Sequence, residues 1–505
     1  MGQAKLKGSA REERVAKLLE AHSAKMLSYE RFNAFVAWTR SPILALFGEE
    51  TEYFSSLDEG VLGVIVRDHT DDDYGYTVLG RDKKLRFRAI KTQCSMSRTE
   101  ARAALLAHLK SFHDAGTTIF PQDDEDEDAA GIDLFSLAVP PEKIHPSFDS
   151  VCHGDHWLPA RSIMSEMMRH FVDVDGNFVE QFQTTGFDAR VWELYLYAAL
   201  LELGLFVSKP DPAPDFLVTD GKKKVFIEAV TVNSTSGEPL PRPEDQPTMR
   251  LPEDILELNK SKIPIKYRNA LWKKLKRKTP YWTLPDVQGC PLVFAIADFH
   301  EKQSMAWTST GLLHYLYGQS HEFWRDDDGK LIISSNPIEV HEYEGKRVPS
   351  GFFMQPDAQN VSAVIFSASG TISKFNRMGR FAGFGHPDQL MMRVGFKHRH
   401  DENAAVPDRF IIEVEPGKAT ETWAEGMSMF HNPNALHSVD PEMFPGIAHH
   451  FFKDGEIVSI LPEFHPYWSQ TFNILPSKKE AGTTGSVGED LAAASPIDRE
   501  KQSGA

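Results

Sequence analysis

The run Val225–Val232 (VFIEAVTV) constrains this chain more than any other segment. It is a strand-length stretch of β-branched and apolar residues, and it has no wet face. Phe226, Glu228 and Val230 share one side of such a strand, while Ile227, Ala229 and Thr231 share the other. A strand this apolar is buried on both faces, so the sheet that holds it must be covered on both sides. Glu228 is therefore a charge placed inside hydrophobic structure. An ionised carboxylate left unpaired there costs several kcal/mol or more, roughly, so it needs a raised pKa, a cationic partner or a metal ion.

Two further acids sit nearby in the chain. Glu193 is the one charge in Val191–Leu201, a helical segment that is apolar on every side. Asp215 follows Pro214 at the start of the next predicted strand. Each has an ordinary reading: Glu193 as a buried acid paired with Arg190 or a lysine, and Asp215 as a turn residue after proline. Glu228 resists one, because nothing structural demands an acid in mid-strand.

The local pattern around these acids is regular. A helix over about 188–203 ends at Gly204, a natural residue to follow a helix C-terminus. Strands are predicted at Leu205–Ser208, Phe216–Thr219 and Lys224–Val232, the last two joined by the hairpin signal Asp220-Gly221. A basic helix over roughly Ile265–Lys278 follows, then the buried strand in PLVFAIADFH. The order is α-β-β-β-α-β. Pairing through the Asp220-Gly221 turn brings Asp215 beside Glu228. Two adjacent carboxylates repel, and a hard divalent cation such as Mg²⁺ relieves that repulsion and activates water for phosphodiester hydrolysis.

This order, with an acid in the first helix, Pro214-Asp215, and Glu228 on the following strand, resembles the PD-(D/E)XK nuclease superfamily over about residues 187–297. The resemblance implies a restriction-endonuclease-like core and Mg²⁺ or Mn²⁺ as cofactor. It implies Asp215 and Glu228 as metal ligands, Glu193 as an auxiliary acid, and a nucleic acid, in the first place DNA, as substrate. The sequence departs from the family at Val230, which stands where the family has its catalytic lysine. Some members move that lysine to the next helix. Between Lys260 and Lys278 there are nine Lys or Arg and no acid. With Tyr267, Leu271 and Leu275 on the inward stripe, Lys274 and Lys278 are the candidates for the displaced catalytic cation. Lys273, Lys276 and Arg277 point outward and, with Lys266, are candidate nucleic-acid contacts. The alternative is a solvated cationic face with snorkelling stems. An inactive protein of this fold, binding nucleic acid, a protein partner or a second copy of itself, is the competing function, and Val230 is its main support.

The whole chain reads as a mixed α+β, multidomain protein. At 505 residues it exceeds one ordinary core. Residues 1–135 read as an N-terminal α+β region, helical over 9–47, with a strand meander over 60–90 and an amphipathic helix over 98–113 opened by a capping signal at Ser97. Residues 136–310 hold the nuclease-like core, 311–476 read as β-rich, and 477–505 as a disordered tail. The acidic run Asp123–Asp128 reads as an exposed loop. No stretch approaches the ~20 apolar residues of a membrane span. Three widely separated cysteines fit a reducing cytoplasm and argue against a disulfide framework and a thiolate zinc site. The net charge of −17 argues against a generally basic nucleic-acid coat but leaves room for a local one.

Other signals are weaker. His153 and His156 flank Gly-Asp, a spacing common by chance. The late histidines (His431, His437, His449, His450, His465) read mostly as surface or interface residues. Gly370–Gly385 mixes glycines with Lys374, Arg377 and Arg380 and three phenylalanines without a Walker or Rossmann pattern. It reads either as a glycine-rich turn packing phenylalanines or as a contact for phosphates and unpaired bases.

Overall fold

The computed structural model describes residues 13–126, 131–234, 245, 248–418 and 421–475. The tail expected beyond Ser477, the first 12 residues and the end of the acidic run lie outside the described residues.

The N-terminal region is a five-stranded antiparallel sheet in sequential order: β1 (Ala24–Met26), β2 (Gly48–Ser56), β3 (Val61–Asp68), β4 (Tyr74–Arg81) and β5 (Phe87–Met96). The expected meander is present. The expected continuous helicity over 9–47 is not: β1 interrupts it and pairs with β2. The helix Arg98–Asp114 covers one face of the sheet through Leu105, Leu106 and Leu109. Its N-terminus carries the full capping box, with Ser97 and Glu100 satisfying each other's backbone N–H groups. The helix Tyr29–Val36 packs the other face through Phe32 and Phe35.

The larger unit is built on one eight-stranded mixed sheet. Its strands are β6 (Phe206–Ser208), β7 (Phe216–Thr219), β8 (Lys224–Asn233), β9 (Leu292–Phe299), β14 (Ala363–Ser367), β17 (Met427–His431), β18 (Ala448–Lys453) and β19 (Glu456–Ile460), in spatial order β19-β18-β17-β14-β9-β8-β7-β6. Between these come two hairpins, β10–β11 (Gln319–Arg325, Leu331–Pro337) and β12–β13 (Val340–Tyr343, Lys346–Pro349). A three-stranded sheet is formed by β15 (Leu390–Lys397), β16 (Asp408–Glu413) and β20 (Pro466–Ile474). The large sheet runs straight through the expected boundary at 310/311. Strands β14, β17, β18 and β19 extend the sheet begun by β6–β9, and one apolar core serves both regions. Residues 311–475 also contain helices, Ser309–Tyr317 and Ile372–Phe381, so that region is not simply β-rich.

The helix Phe187–Glu202 is central to this unit. Trp192, Leu194, Tyr195 and Leu196 are fully buried, each contributing roughly 1.5–3 kcal/mol by leaving water. The indole of Trp192 donates to the Ala295 carbonyl of β9 at 2.9 Å, and the Tyr195 hydroxyl bonds Ser367 of β14 at 2.9 Å. Gly204, at φ +76°, ends the helix as expected. Helices Ile372–Phe381 and Leu158–Met168 cross closely at Gly379, where a Cβ would lie 2.1 Å from the Pro159 carbonyl oxygen. Among the described residues, no helix is long and apolar enough to cross a membrane.

Candidate carboxylate site

Strand β8 pairs antiparallel with β7 in the register Phe216↔Ile227, and parallel with β9 in the register Glu228↔Phe294. Continued by one residue, the first register sets Asp215 opposite Glu228. Asp215 Oδ2 accepts the backbone N–H of Ala229 at 2.7 Å, which anchors its carboxylate against the strand that carries Glu228. Glu228 is 5% exposed. Its Oε1 lies 2.5 Å from Nζ of Lys274, on the helix Lys262–Leu275, and the Tyr281 hydroxyl also hydrogen-bonds its carboxylate.

A polar cavity of about 220 Å³ opens here, lined among others by Asp215, Glu228, Arg190, Lys209, Arg277 and Tyr281. Glu193 does not line it. It lies behind, 2.6 Å from Arg190 Nη1 and 3.4 Å from Lys209 Nζ. These two cations in turn rest on aromatic rings, Arg190 on Phe178 at 5.0 Å and Lys209 on Phe171 at 4.3 Å. The paired-acid reading of Glu193 therefore describes its contacts.

Electrostatically the acids remain under strain. Burial, then the negative charge of Asp215, pushes the Glu228 carboxyl above its usual range, with Lys274 and Tyr281 pulling the other way. Burial and Asp215 push Glu193 up as well, against Arg190 and Lys209. Burial and the charge on Glu228 raise the Tyr281 hydroxyl. One aspartate thus adds to burial at both glutamates, and their own cations do not cancel the two together.

The structure separates the residues singled out in the sequence. Asp215, Glu228 and Lys274 come together. Lys278 does not join them: the helix ends at Leu275, three residues short of expectation, and Lys278 is exposed beyond it. Val230 is 3% exposed and packs in the core. Among the outward cations, Lys273 is exposed and Lys276 pairs with Asp357 at the surface. Lys266 is half-buried. Arg277, expected to face solvent, turns inward once the helix has ended and stacks on the Tyr281 ring at 4.1 Å. Tyr281 and Lys209 were not anticipated. Both lie outside periodic segments, so no pattern in the sequence marks them.

Elsewhere, the trio of acids whose carboxylate oxygens all lie within 4.8 Å of one another, among the described residues, is Asp68, Asp71 and Asp73 in the β3–β4 turn. Glu193, Asp215 and Glu228 are not such a trio, so at most two of the three can share one ion as the side chains stand. His153 is exposed and bonds Asp149. Of the late histidines, His437 is exposed and His450 half-buried, but His431, His449 and His465 are buried against expectation, and His431 bonds His449 at 2.9 Å between neighbouring strands. Lys374, Arg377 and Arg380 are buried too, which removes them as a surface for phosphates or bases.

Comparison with protein-family models, curated proteins and solved structures finds no match.

Proposed function

We propose that the carboxylate site hydrolyses phosphodiester bonds of nucleic acid, DNA in the first place, with Mg²⁺ or Mn²⁺ held by Asp215 and Glu228. The observation that carries this reading is the 2.5 Å contact between Lys274 and Glu228, beside Asp215. It puts an ammonium from the following helix next to the acids, the role left open by Val230. The order of elements supports a restriction-endonuclease-like core. Helix Phe187–Glu202, strands β6, β7 and β8, helix Lys262–Leu275 and strand β9 follow the expected sequence, with one added helix at Pro252–Lys260.

The donor set fits the ion: two neighbouring carboxylates, Glu228 pushed above its usual range by burial and by Asp215, in a small polar cavity, with hard oxygen ligands. When bound, such a cation activates water and neutralises charge on the scissile phosphate. The protein's own groups do the rest. Lys274 stabilises negative charge developing next to Glu228. Arg277, held against Tyr281, and Lys209 present positive charge to a phosphate entering the cavity. Tyr281 and the Ala229 N–H fix the orientations of Glu228 and Asp215. Glu193 orders Arg190 and Lys209 from behind.

One observation favours the second reading, an inactive binding protein of the same fold: Lys274 and Tyr281 already engage Glu228, and an ion must compete with them. Cleavage separates the two. Purified full-length protein with Mg²⁺ or Mn²⁺ is expected to cut plasmid or single-stranded DNA, and Glu228→Ala to abolish cutting. Wild type and variant equally inert on DNA and RNA with both metals would remove the nuclease reading.

A further inference from the structure

The three-stranded sheet of β16, β15 and β20 has two unlike faces. Alternate residues of β15 bury Met391, Arg393 and Gly395 on the inner one, where Arg393 meets Glu421 and Glu425. The residues between them point outward. On that outer face Leu390, Phe396, Ile411, Phe472 and Ile474 are 41–59% exposed. A solvated face of an antiparallel sheet ordinarily carries polar side chains, and here all three strands contribute apolar ones. Together they leave open an apolar area on the order of 500 Å², as large as the largest patch a monomer usually shows.

The strand registers set this face in rows. Arg409, Phe396 and Trp468 form one row, Ile411, Val394 and Gln470 the next, and Glu413, Met392 and Phe472 the third. Phe396 and Trp468 stack, with ring centroids 6.2 Å apart. A base and an acid, both exposed, thus flank Ile411 on β16. Among the described residues the Arg409 side chain has no hydrogen bond or ion pair, and Glu413 pairs with the exposed Lys418.

A two-fold axis lying in the face, along the middle row, makes this pattern complementary to itself. It sets Ile411 and Val394 each against its own copy. It sets Arg409 over Glu413, Phe396 over Met392 and Trp468 over Phe472 of the second copy, and each pair recurs by symmetry. Sheets stack about 10 Å apart with strands nearly aligned, which this arrangement allows. A uniformly acidic or basic partner would meet one of the two charges unfavourably, whereas a second copy matches both.

We infer that this face docks a second copy of the chain about a two-fold axis through Ile411 and Val394. Covering both faces removes about 1,000 Å² from water, the lower bound of specific interfaces, so the dimer is a reversible one with a micromolar dissociation constant. The inference does not depend on nuclease activity.

Sedimentation equilibrium of the full-length protein from nanomolar to submillimolar concentration tests it. Wild type is expected to pass from monomer to dimer in the micromolar range, and Glu228→Ala to do the same. Ile411→Lys, which brings two ammonium groups together on the axis, should weaken the dimer at least tenfold with an unchanged melting curve. Arg409→Glu and Glu413→Arg should each weaken it by a similar factor. The double variant Arg409→Glu/Glu413→Arg should recover wild-type affinity. Four residues along one strand separate the two side chains by about 13 Å, too far to pair within a chain, so that rescue can only act between copies. A wild type that stays monomeric, a dimer that Ile411→Lys leaves unchanged, or a double variant as weak as the singles overturns the inference. A monomer that dimerises only after residues 477–505 are removed assigns the face to that segment and overturns it too.

Discussion

Two groups of buried charges in this protein have opposite character. Around Glu421, three cations converge on one carboxylate: Lys374 at 2.6 Å, Arg377 at 2.7 Å and Arg393 at 3.3 Å, with Glu425 also bound to Arg393. Despite complete burial, these cations hold the Glu421 carboxyl well below its usual range. Around Glu228 and Glu193 each acid has partners, yet burial and a shared neighbour of the same sign, Asp215, drive both upward. In the first group the charge of Glu421 is satisfied by the chain itself, while burial and Glu421 push Glu425 up, and Arg393 joins helix Ile372–Phe381 to the three-stranded sheet. The second keeps like charges adjacent at the wall of a cavity, an arrangement that gains from an added cation. Burial of a charge is thus a poor sign of function by itself, and the sign of its neighbours tells more.

The largest expected effect breaks the first group. Glu421→Gln strands three cations in the interior and should cost about 3–5 kcal/mol in denaturant unfolding. A loss under ~1 kcal/mol would show that the network contributes little. Next, Lys274→Ala should lower the rate of DNA cleavage about 10²–10³-fold with little change in stability, and Lys274→Arg should retain more activity. Activity equal to wild type in Lys274→Ala would leave the role of the missing lysine unfilled.

Smaller effects come from pH. A raised folded-state pKa makes Glu228 favour folding below the ordinary value of 4.5, and that contribution is lost as pH rises through the folded pKa. In the absence of divalent ions, Glu228→Gln should therefore become more stable relative to wild type as pH rises above 4.5. The gain is about 1.4 kcal/mol per unit of pKa shift. Glu421 has the opposite sign. Its contribution is present above the ordinary value and lost as pH falls through its depressed folded pKa, so Glu421→Gln should approach wild type in strong acid. Parallel pH profiles for the two variants would erase the contrast. The smallest effect belongs to the exposed cations. Lys273→Glu or Lys278→Glu should weaken DNA binding by about 1 kcal/mol or less, uniformly across sequences, and reduce the salt slope by about one.

How much of this was legible in the sequence follows from where the signal is local. The order from Phe187 to Phe299, the Gly204 stop, the capping box at Ser97 and the meander of β3–β5 all rest on spacing or turn chemistry within a few residues. Glu228 stood out because an acid in an apolar strand has no local excuse. The pairing of β14 with β9 and of β17 with β14 is not local, so the large sheet was read as ending near residue 310. Gly370–Gly385 reads two ways in sequence, as a packed turn or as a phosphate contact, because the partner of Lys374 and Arg377, Glu421, lies over 40 residues away. Arg277 and Tyr281 follow a helix end that came three residues early, and a shift that small turns a side chain from solvent into the cavity.

The central claim, that the acids at β7 and β8 are arranged for a divalent cation, is tested most directly by titrating Mn²⁺ into metal-free protein by calorimetry. Wild type should show a binding site that Mg²⁺ displaces, weaker at pH 5 than at pH 8. Glu228→Gln should lose that site while Glu193→Gln keeps it in weakened form. Equal Mn²⁺ binding by wild type and Glu228→Gln, or none by either at millimolar concentration, would contradict the account.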